Sequence, residues 1–164
     1  MSKLSVVLPA YNEELMVGKT CRVLAEVLTE AKIPYELVVV NDGSGDRTWE
    51  EIQKAGERDA NVTGVLFSRN FGKEAAMYAG LQAAKGDYVT VMDVDLQDPP
   101  SLLPKMYAML QSGTCDCVAA RRSSREGEGK IKSFLSNAFY GVINRLSRTE
   151  IVSGARDYRL MSRK

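Results

Sequence analysis

Three aspartates stand within six residues in VTVMDVDLQDPP (89–100), where an apolar run ends in Asp93, Asp95 and Asp98 and then two prolines. Carboxylates crowded this closely disfavour one another's charge, so the arrangement asks for a cation. In an extended chain residues i and i+2 point the same way, which lets Asp93 and Asp95 aim at one point. Hard carboxylate oxygens suit Mg2+ or Mn2+. Magnesium is typically held by one or two carboxylates together with substrate phosphates, rather than by a full protein cage. Two aspartates at a strand end with no cage around them therefore ask for a phosphorylated ligand. The competing reading is a solvated turn whose acids cap the helix that follows Pro99.

What the chain lacks narrows the chemistry. Its 164 residues include no histidine, which removes Ser-His-Asp and Cys-His nucleophile systems and most catalytic zinc sites. Proton transfer is left to carboxylates, Lys, Tyr or the substrate itself. Cys21, Cys115 and Cys117 are odd in number and form no CxxC, so neither a disulfide framework nor a zinc set is expected. There is no GxxxxGK[ST] phosphate loop. GSGDRT (43–48) lacks the third glycine of a dinucleotide fingerprint and reads as a turn, although Asp42 beside it is placed to hydrogen-bond a base or ribose. No stretch approaches the roughly 18 apolar residues of a membrane helix. LSVVLPA is too short, and broken by Pro9, to serve as a signal peptide. The sequence as given is expected to be one soluble, cytosolic domain.

Net charge is +1, but it is unevenly spread. Residues 1–120 carry 11 Lys+Arg against 17 Asp+Glu, and residues 121–164 carry 11 against 4. Halves of −6 and +7 point to two kinds of contact surface.

The elements that must position these groups alternate between periods of 2 and 3.6. LSVVLPA reads as a strand, with Asn12 as N-cap and Glu13 and Glu14 in the first turn of a helix. That helix buries a face of Val17, Cys21, Leu24, Val27, Leu28 and Ala31. YELVVV (35–40) is a second strand, followed by a helix about 49–55. VTGVLF (62–67) is a third strand, followed by a helix 73–84. DYVTVMD (87–93) is a fourth, a helix near 101–112 follows the prolines, and DCVAA (116–120) is a fifth strand. Such alternation implies a mostly parallel, Rossmann-like α/β sheet with helices on both faces. In these sheets the ligand sits outside the carboxyl ends of the strands. Tyr11-Asn12-Glu13, Asn41-Asp42, Ser68-Arg69-Asn70, Asp93-Val94-Asp95 and Arg121-Arg122 all fall at that edge. Beyond a polar loop, residues 131–146 form an amphipathic helix that either packs on the sheet or lies in a membrane interface.

VVLPAYNEE, VVVNDGSGDRT, SRNFGKEAAMYAGLQAAKGDYVTVMDVDLQDPP and SGARDYRLMSR, in that order along the chain, resemble family 2 glycosyltransferases of the A-type fold. Within them the chain is most similar to polyprenyl-phosphate glycosyltransferases, a group that includes bactoprenol glucosyltransferases and dolichyl-phosphate mannose synthases. The resemblance implies one GT-A catalytic domain over 1–164, with a nucleotide-sugar and metal half (1–120) and a basic acceptor half (121–164). Members of this branch continue past the DYRL motif, so the chain is expected to be a truncated domain of a membrane-anchored parent acting at the cytoplasmic face. The resemblance also implies roles for individual residues. Pro9, Ala10, Tyr11 and Glu13 would line the nucleotide pocket, with Val40 and Asp42 at base or ribose and Arg69 and Lys73 near the donor. Asp93 would touch ribose or metal with Val94 beside it, Asp95 would be the main metal ligand and a catalytic residue, and Gln97 would complete the site. Asp157 would be a base or an acceptor-positioning carboxylate. Arg121, Arg122, Arg125 and Lys132 are candidates for the acceptor phosphate.

The implied reaction is metal-dependent, inverting transfer of glucose or a related hexose from a UDP-sugar donor to a polyprenyl phosphate acceptor, at a membrane surface and without nucleic acid. A lipid phosphate has a second pKa of about 6 and is largely ionised at neutral pH, so a chain without histidine can manage its activation. Alternatives are a GDP-mannose-dependent enzyme of the dolichyl-phosphate mannose synthase type and a family 2 transferase acting on a cell-surface polysaccharide. A nucleotidyltransferase would want a glycine-rich loop where YNEE stands. A receiver-type regulatory module would carry its acidic pair after strand one, whereas here the acids follow strands two and four. Homo-oligomer formation is left open.

Overall fold

The structure is a computed structural model that describes residues 2–121 and 155–163. Two compact units divide the chain, Met1–Val118 with Tyr158–Lys164, and Ala119–Asp157. The expected basic loop and the amphipathic helix 131–146 lie outside the described residues, as do Arg122, Arg125 and Lys132.

Six strands form one sheet in the order β3-β2-β1-β4-β6-β5. They are β1 (Leu4–Ala10), β2 (Tyr35–Asn41), β3 (Val62–Leu66), β4 (Tyr88–Val91), β5 (Cys117–Arg121) and β6 (Ala155–Ser162). β1 runs parallel to both β2 and β4, and β2 parallel to β3. The central strand β1 is buried along its whole length, which is why it reads as a continuous apolar run rather than an alternation. β3, at the edge, is mostly uncovered. β6 enters antiparallel to β4, pairing Tyr88–Thr90 with Leu160–Ser162. The mostly parallel α/β sheet expected from the alternation is therefore what forms, with one antiparallel strand that the alternation did not announce.

Among the described residues four α-helices connect strands: α1 (Val17–Glu30), α2 (Thr48–Arg58), α3 (Lys73–Ala83) and α4 (Leu103–Gln111), the last preceded by a 3₁₀ turn at Pro100–Leu102. α1 buries Val17, Thr20, Cys21, Leu24 and Leu28 on one face. α3 lies so close to the sheet that a Cβ on Gly80 would sit 2.2 Å from Val7 Cγ1. Burial pushes the Cys21 thiol up to about 12, so it is an inert core residue.

The start of α1 differs from expectation. Asn12 is not its N-cap: it adopts φ 55°, and the helix begins four residues later, after Met16, without a side-chain cap. Asn12 instead accepts a hydrogen bond from the Gly45 amide at 2.9 Å, while its own amide donates to Ser44 Oγ. A tertiary partner won over the local capping pattern.

At the opposite end of the sheet from the strand carboxyl termini, one buried acid ties three segments together. Glu36 accepts from Ser5 Oγ and the Lys85 amide, both at 2.5 Å, and from Lys3 Nζ at 2.9 Å. Burial pushes its carboxyl up, but these donors and the Lys3 charge together outweigh that and hold it below the ordinary 4.5. A lowered folded value means that the stabilisation is complete above the unfolded value and is lost as pH falls through the folded one. Glu36→Gln should therefore cost about 1–3 kcal/mol at neutral pH, because an amide cannot serve three donors. Urea denaturation should show the gap from the parent chain closing below about pH 4, where the parent loses the same contribution. An equal gap at both pH values would contradict this account.

Candidate active site

The cleft originates where two strands part. β1 and β4 stay in register only to Val7↔Val91, with a last bond from the Met92 amide to Val7 O. On its other side, β1 continues with β2 as far as Ala10, whose carbonyl accepts from the Asp42 amide. Pro9 lies in this stretch with its missing N–H on the side from which β4 has already departed, so proline costs no ladder bond there. The gap holds a cavity of about 330 Å³.

Nine of the expected residues line it. Pro9, Ala10, Tyr11 and Glu13 come from the end of β1, Asp42 from β2, Lys73 from α3, and Asp93, Val94 and Asp95 from the end of β4. β4 stops at Val91, two residues short of the expected strand, and the chain turns at Val94–Asp95. Both carboxylates nonetheless reach the cleft. Asn70, placed at this edge by the sequence but given no role, also lines it, as do Gly72 and Ala76, which were not singled out. The signal was available for Gly72 alone, whose φ of 97° at the N-cap of α3 asks for glycine.

Asp42 is 3% exposed and both its oxygens are engaged. Oδ1 accepts from the Phe71 amide at 2.7 Å and Oδ2 from the Gly72 amide at 3.0 Å. The carboxylate expected at base or ribose thus clamps the start of α3 to the end of β2. Gly43 makes the approach possible, because it has φ 64° and a Cβ there would lie 2.2 Å from the Arg69 carbonyl carbon. Two other expected residues stand away from the cleft lining. Val40 is fully buried in the core with Val7, Val38 and Ala76, and Arg69 places its guanidinium 4.5 Å over the Phe71 ring.

YNEE and NDGSGDRT, distant in sequence, are zipped together. Glu13 N donates to Thr48 Oγ1 at 2.8 Å, Glu14 N to Asp46 Oδ2 at 3.2 Å, and Arg47 N to Glu14 Oε2 at 3.0 Å. The turn after β2 is therefore the support of the loop after β1. Glu13 is left facing the aspartates. Its carboxyl is pushed up, first by burial and then by the charges of Asp95, Asp46 and Asp93.

A protein cation answers part of that repulsion. Lys73 Nζ sits 2.6 Å from Asp93 Oδ1, with both side chains about half exposed. Lysine in the first turn of a helix opposes the helix dipole, so this placement is explained by its partner rather than by its helix. Asp95 accepts from the Gln97 amide at 3.0 Å and is otherwise turned to solvent at the cleft. Leu96 between them adopts φ 58°, a left-handed conformation that costs a leucine about 1 kcal/mol or more. Among the described residues, no group of three or more His, Cys, Asp or Glu is close enough to hold a metal ion alone. Two hard-oxygen acids beside a cavity of about 330 Å³ still fit a divalent cation that brings its own phosphate ligands. Gln97 adjoins this turn without lining the cavity. Asp157 lies on the backbone of β6 and Arg121 on that of β5, with their side chains outside the described set.

A mostly parallel sheet with a cleft at its carboxyl edge and a paired-aspartate turn is the architecture of GT-A glycosyltransferases. The chain belongs to glycosyl transferase family 2, whose family model matches residues 5–164. It is 43% identical over 162 residues to an uncharacterised glycosyltransferase of Synechocystis sp., covering 99% of this chain and 51% of that protein. It is 39% identical over 161 residues to a bactoprenol glucosyl transferase of Shigella phage SfV, covering 98% and 52%. The chain thus spans about half the length of the curated relatives it matches. Among solved structures, Mycobacterium tuberculosis glucosyl-3-phosphoglycerate synthase, in complex with Mn2+, UDP-glucose and phosphoglyceric acid, superposes with TM-score 0.65 at 24% identity. That match covers 99% of this chain and 57% of that one.

The clamp gives a direct test. In Asp42→Asn one oxygen becomes an NH2 group facing a backbone N–H, and a donor is left unsatisfied. Stability should fall by about 1–3 kcal/mol. Amide hydrogen exchange should accelerate at Phe71 and Gly72 more than in the core of β1. Unchanged protection at those two amides would show that the clamp does not hold the loop.

Proposed function

We propose that this chain forms the donor-binding part of a glycosyltransferase that moves glucose or a related hexose from a UDP-sugar to a polyprenyl phosphate, with Mg2+ or Mn2+. The observation that carries the reading is the meeting of Glu13, Asp93 and Asp95 with Lys73 in a cleft at the strand ends. Surplus negative charge there favours a divalent cation, and the 330 Å³ space suits part of a nucleoside diphosphate. Several relatives at 38–39% identity are named bactoprenol glucosyl transferases, which supports a lipid phosphate as acceptor. The M. tuberculosis neighbour binds UDP-glucose and Mn2+, which supports the donor and the metal.

In this reading Asp95 and Asp93 would hold the cation, with Gln97 beside them. A divalent ion there neutralises the charge that develops on the departing nucleoside diphosphate. Tyr11, 49% exposed at the cleft, offers its ring to the base, and Asp42 keeps the opposite wall in place. The Lys73–Asp93 pair is half exposed, so it contributes at most about 1 kcal/mol and yields readily to a stronger ligand. The acceptor phosphate, ionised with a pKa of about 6, attacks without needing a strong base. Inversion by a single displacement follows from that attack. Asp157 then orients the acceptor, while Arg121, Arg122, Arg125 and Lys132 attract it and an anionic membrane surface. The site of action is the cytoplasmic face of the membrane.

Calorimetric titration with UDP, with and without Mn2+, tests the donor half. UDP should bind in a Mn2+-dependent manner. Asp95→Asn should weaken that binding more than about tenfold, given the several kcal/mol a bound metal contributes to charge stabilisation. Metal-dependent affinity that survives the substitution removes Asp95 from the metal. For the whole reaction, radiolabel from UDP-glucose should enter the organic phase with a short polyprenyl phosphate. Label that enters only from GDP-mannose would transfer the assignment to the mannose synthase type.

A further inference from the structure

A buried hydroxyl lies beneath the aspartate pair. Thr20 is fully buried on the inner face of α1, among Val17, Cys21, Leu24 and Leu28. A hydroxyl in such surroundings is costly unless it is bonded. Threonine in a helix commonly returns its hydroxyl to the carbonyl one turn back. Here the carbonyl of Met16 takes the Thr20 amide at 2.9 Å, and the hydroxyl leaves the helix altogether. It donates to the carbonyl oxygen of Val94, 74 residues away, at 2.5 Å. That carbonyl belongs to the residue between Asp93 and Asp95.

The position of this bond matters because of what has ended nearby. The ladder between β1 and β4 closes with the Met92 amide on Val7 O. Past that point the chain leaves the sheet, turns at Val94–Asp95 and passes through Leu96 at φ 58°. The far end of the loop is met by the Tyr158 hydroxyl, 3.4 Å from Pro99 O. Between these ends Thr20 holds the middle. Val94 itself is 2% exposed and lines the cleft, so its backbone cannot rotate without carrying both neighbouring carboxylates with it.

We propose that Thr20 is a positioning residue for the carboxylate pair: its buried hydroxyl fixes the Val94 carbonyl and so sets the direction in which Asp93 and Asp95 face the cleft. This rests on the reading of the cleft as a divalent-cation and nucleoside-diphosphate site. Thr20 touches neither ligand. It acts on the peptide group between two metal-binding side chains, as hydrogen-bonding partners of metal ligands commonly do.

The test uses the intact chain, with free Mn2+ followed by electron paramagnetic resonance in the presence of UDP and thermal melting recorded alongside. Thr20→Val keeps the shape and removes the hydroxyl, and it should weaken Mn2+ binding about tenfold. Thr20→Ser keeps the hydroxyl and should bind within about threefold of the parent chain, since loss of a hydroxyl and not of a methyl is the cause. A purely structural role would lower the melting temperature of Thr20→Val while leaving Mn2+ affinity per folded molecule unchanged, and that result overturns the proposal. Equal weakening in the Val and Ser variants also overturns it, because packing would then be responsible. Should Thr20→Val fail to fold, Thr20→Ala against Thr20→Ser isolates the same hydroxyl, and equal affinities in that pair overturn the proposal. A parent chain that binds no Mn2+ with UDP overturns the reading of the cleft and the proposal with it. A parent that binds, with variants that bind equally, overturns the proposal alone.

Discussion

A carboxylate that is 3% exposed must find donors, and Asp42 finds two in the backbone of Phe71 and Gly72, 29 and 30 residues ahead. The rest of the cleft depends on that pairing. The Asp42 amide is itself held by Ala10 O, so the ends of β1 and β2 and the beginning of α3 become one unit. Once Gly72 is fixed, Lys73 as the first residue of α3 is delivered to the cleft, 2.6 Å from Asp93. Removing the acid would leave two amides without acceptors and release the wall that carries Lys73. The carboxylate works here as a structural joint before it works as anything else.

The same logic explains how acids can be concentrated at a strand edge. Glu13 has its proton held more tightly because burial and three neighbouring aspartates disfavour its charge. Asp93 has Lys73, and Asp95 has the Gln97 amide. None of these arrangements is strong, since the side chains are largely exposed and exposed pairs contribute about 0–1 kcal/mol. Such weak, exposed pairs leave these charges open to other partners. Glu36, buried and served by three donors, lies at the other end of the sheet.

Much of this was legible in the sequence because it follows from local period and strand polarity. The alternation of strands and helices gave a mostly parallel sheet, and polarity then put the residues after strands one, two and four at one edge. Tyr11, Glu13, Asp42, Asp93, Val94 and Asp95 line the cleft for that reason, while Pro9, Ala10 and Lys73, also in the lining, were expected from the resemblance. The failures share a cause, which is that a tertiary partner decided the outcome. Asn12 looks like a helix cap and is instead bonded to the turn after β2. Val40 lies within β2 under α3, packed with Ala76, and Asp42 two residues later is the one that reaches the cleft. β6 is inserted between β4 and β5 from the far end of the chain, a pairing over some 70 residues that no local pattern encodes.

Thr20 is the most instructive of the unread positions. On the helical wheel of α1 it belongs to the apolar face, where a β-branched residue of its size would be read as core. Valine would fit the same space and lose only the bond to Val94 O. The difference between the two residues is one hydroxyl, and it is aimed at the carbonyl of Val94, the residue between the two aspartates. A sheet can bring carboxylates to an edge by polarity alone, but past the last ladder bond it no longer fixes their direction. That direction has to come from outside the strand, and in this chain the neighbouring helix provides it.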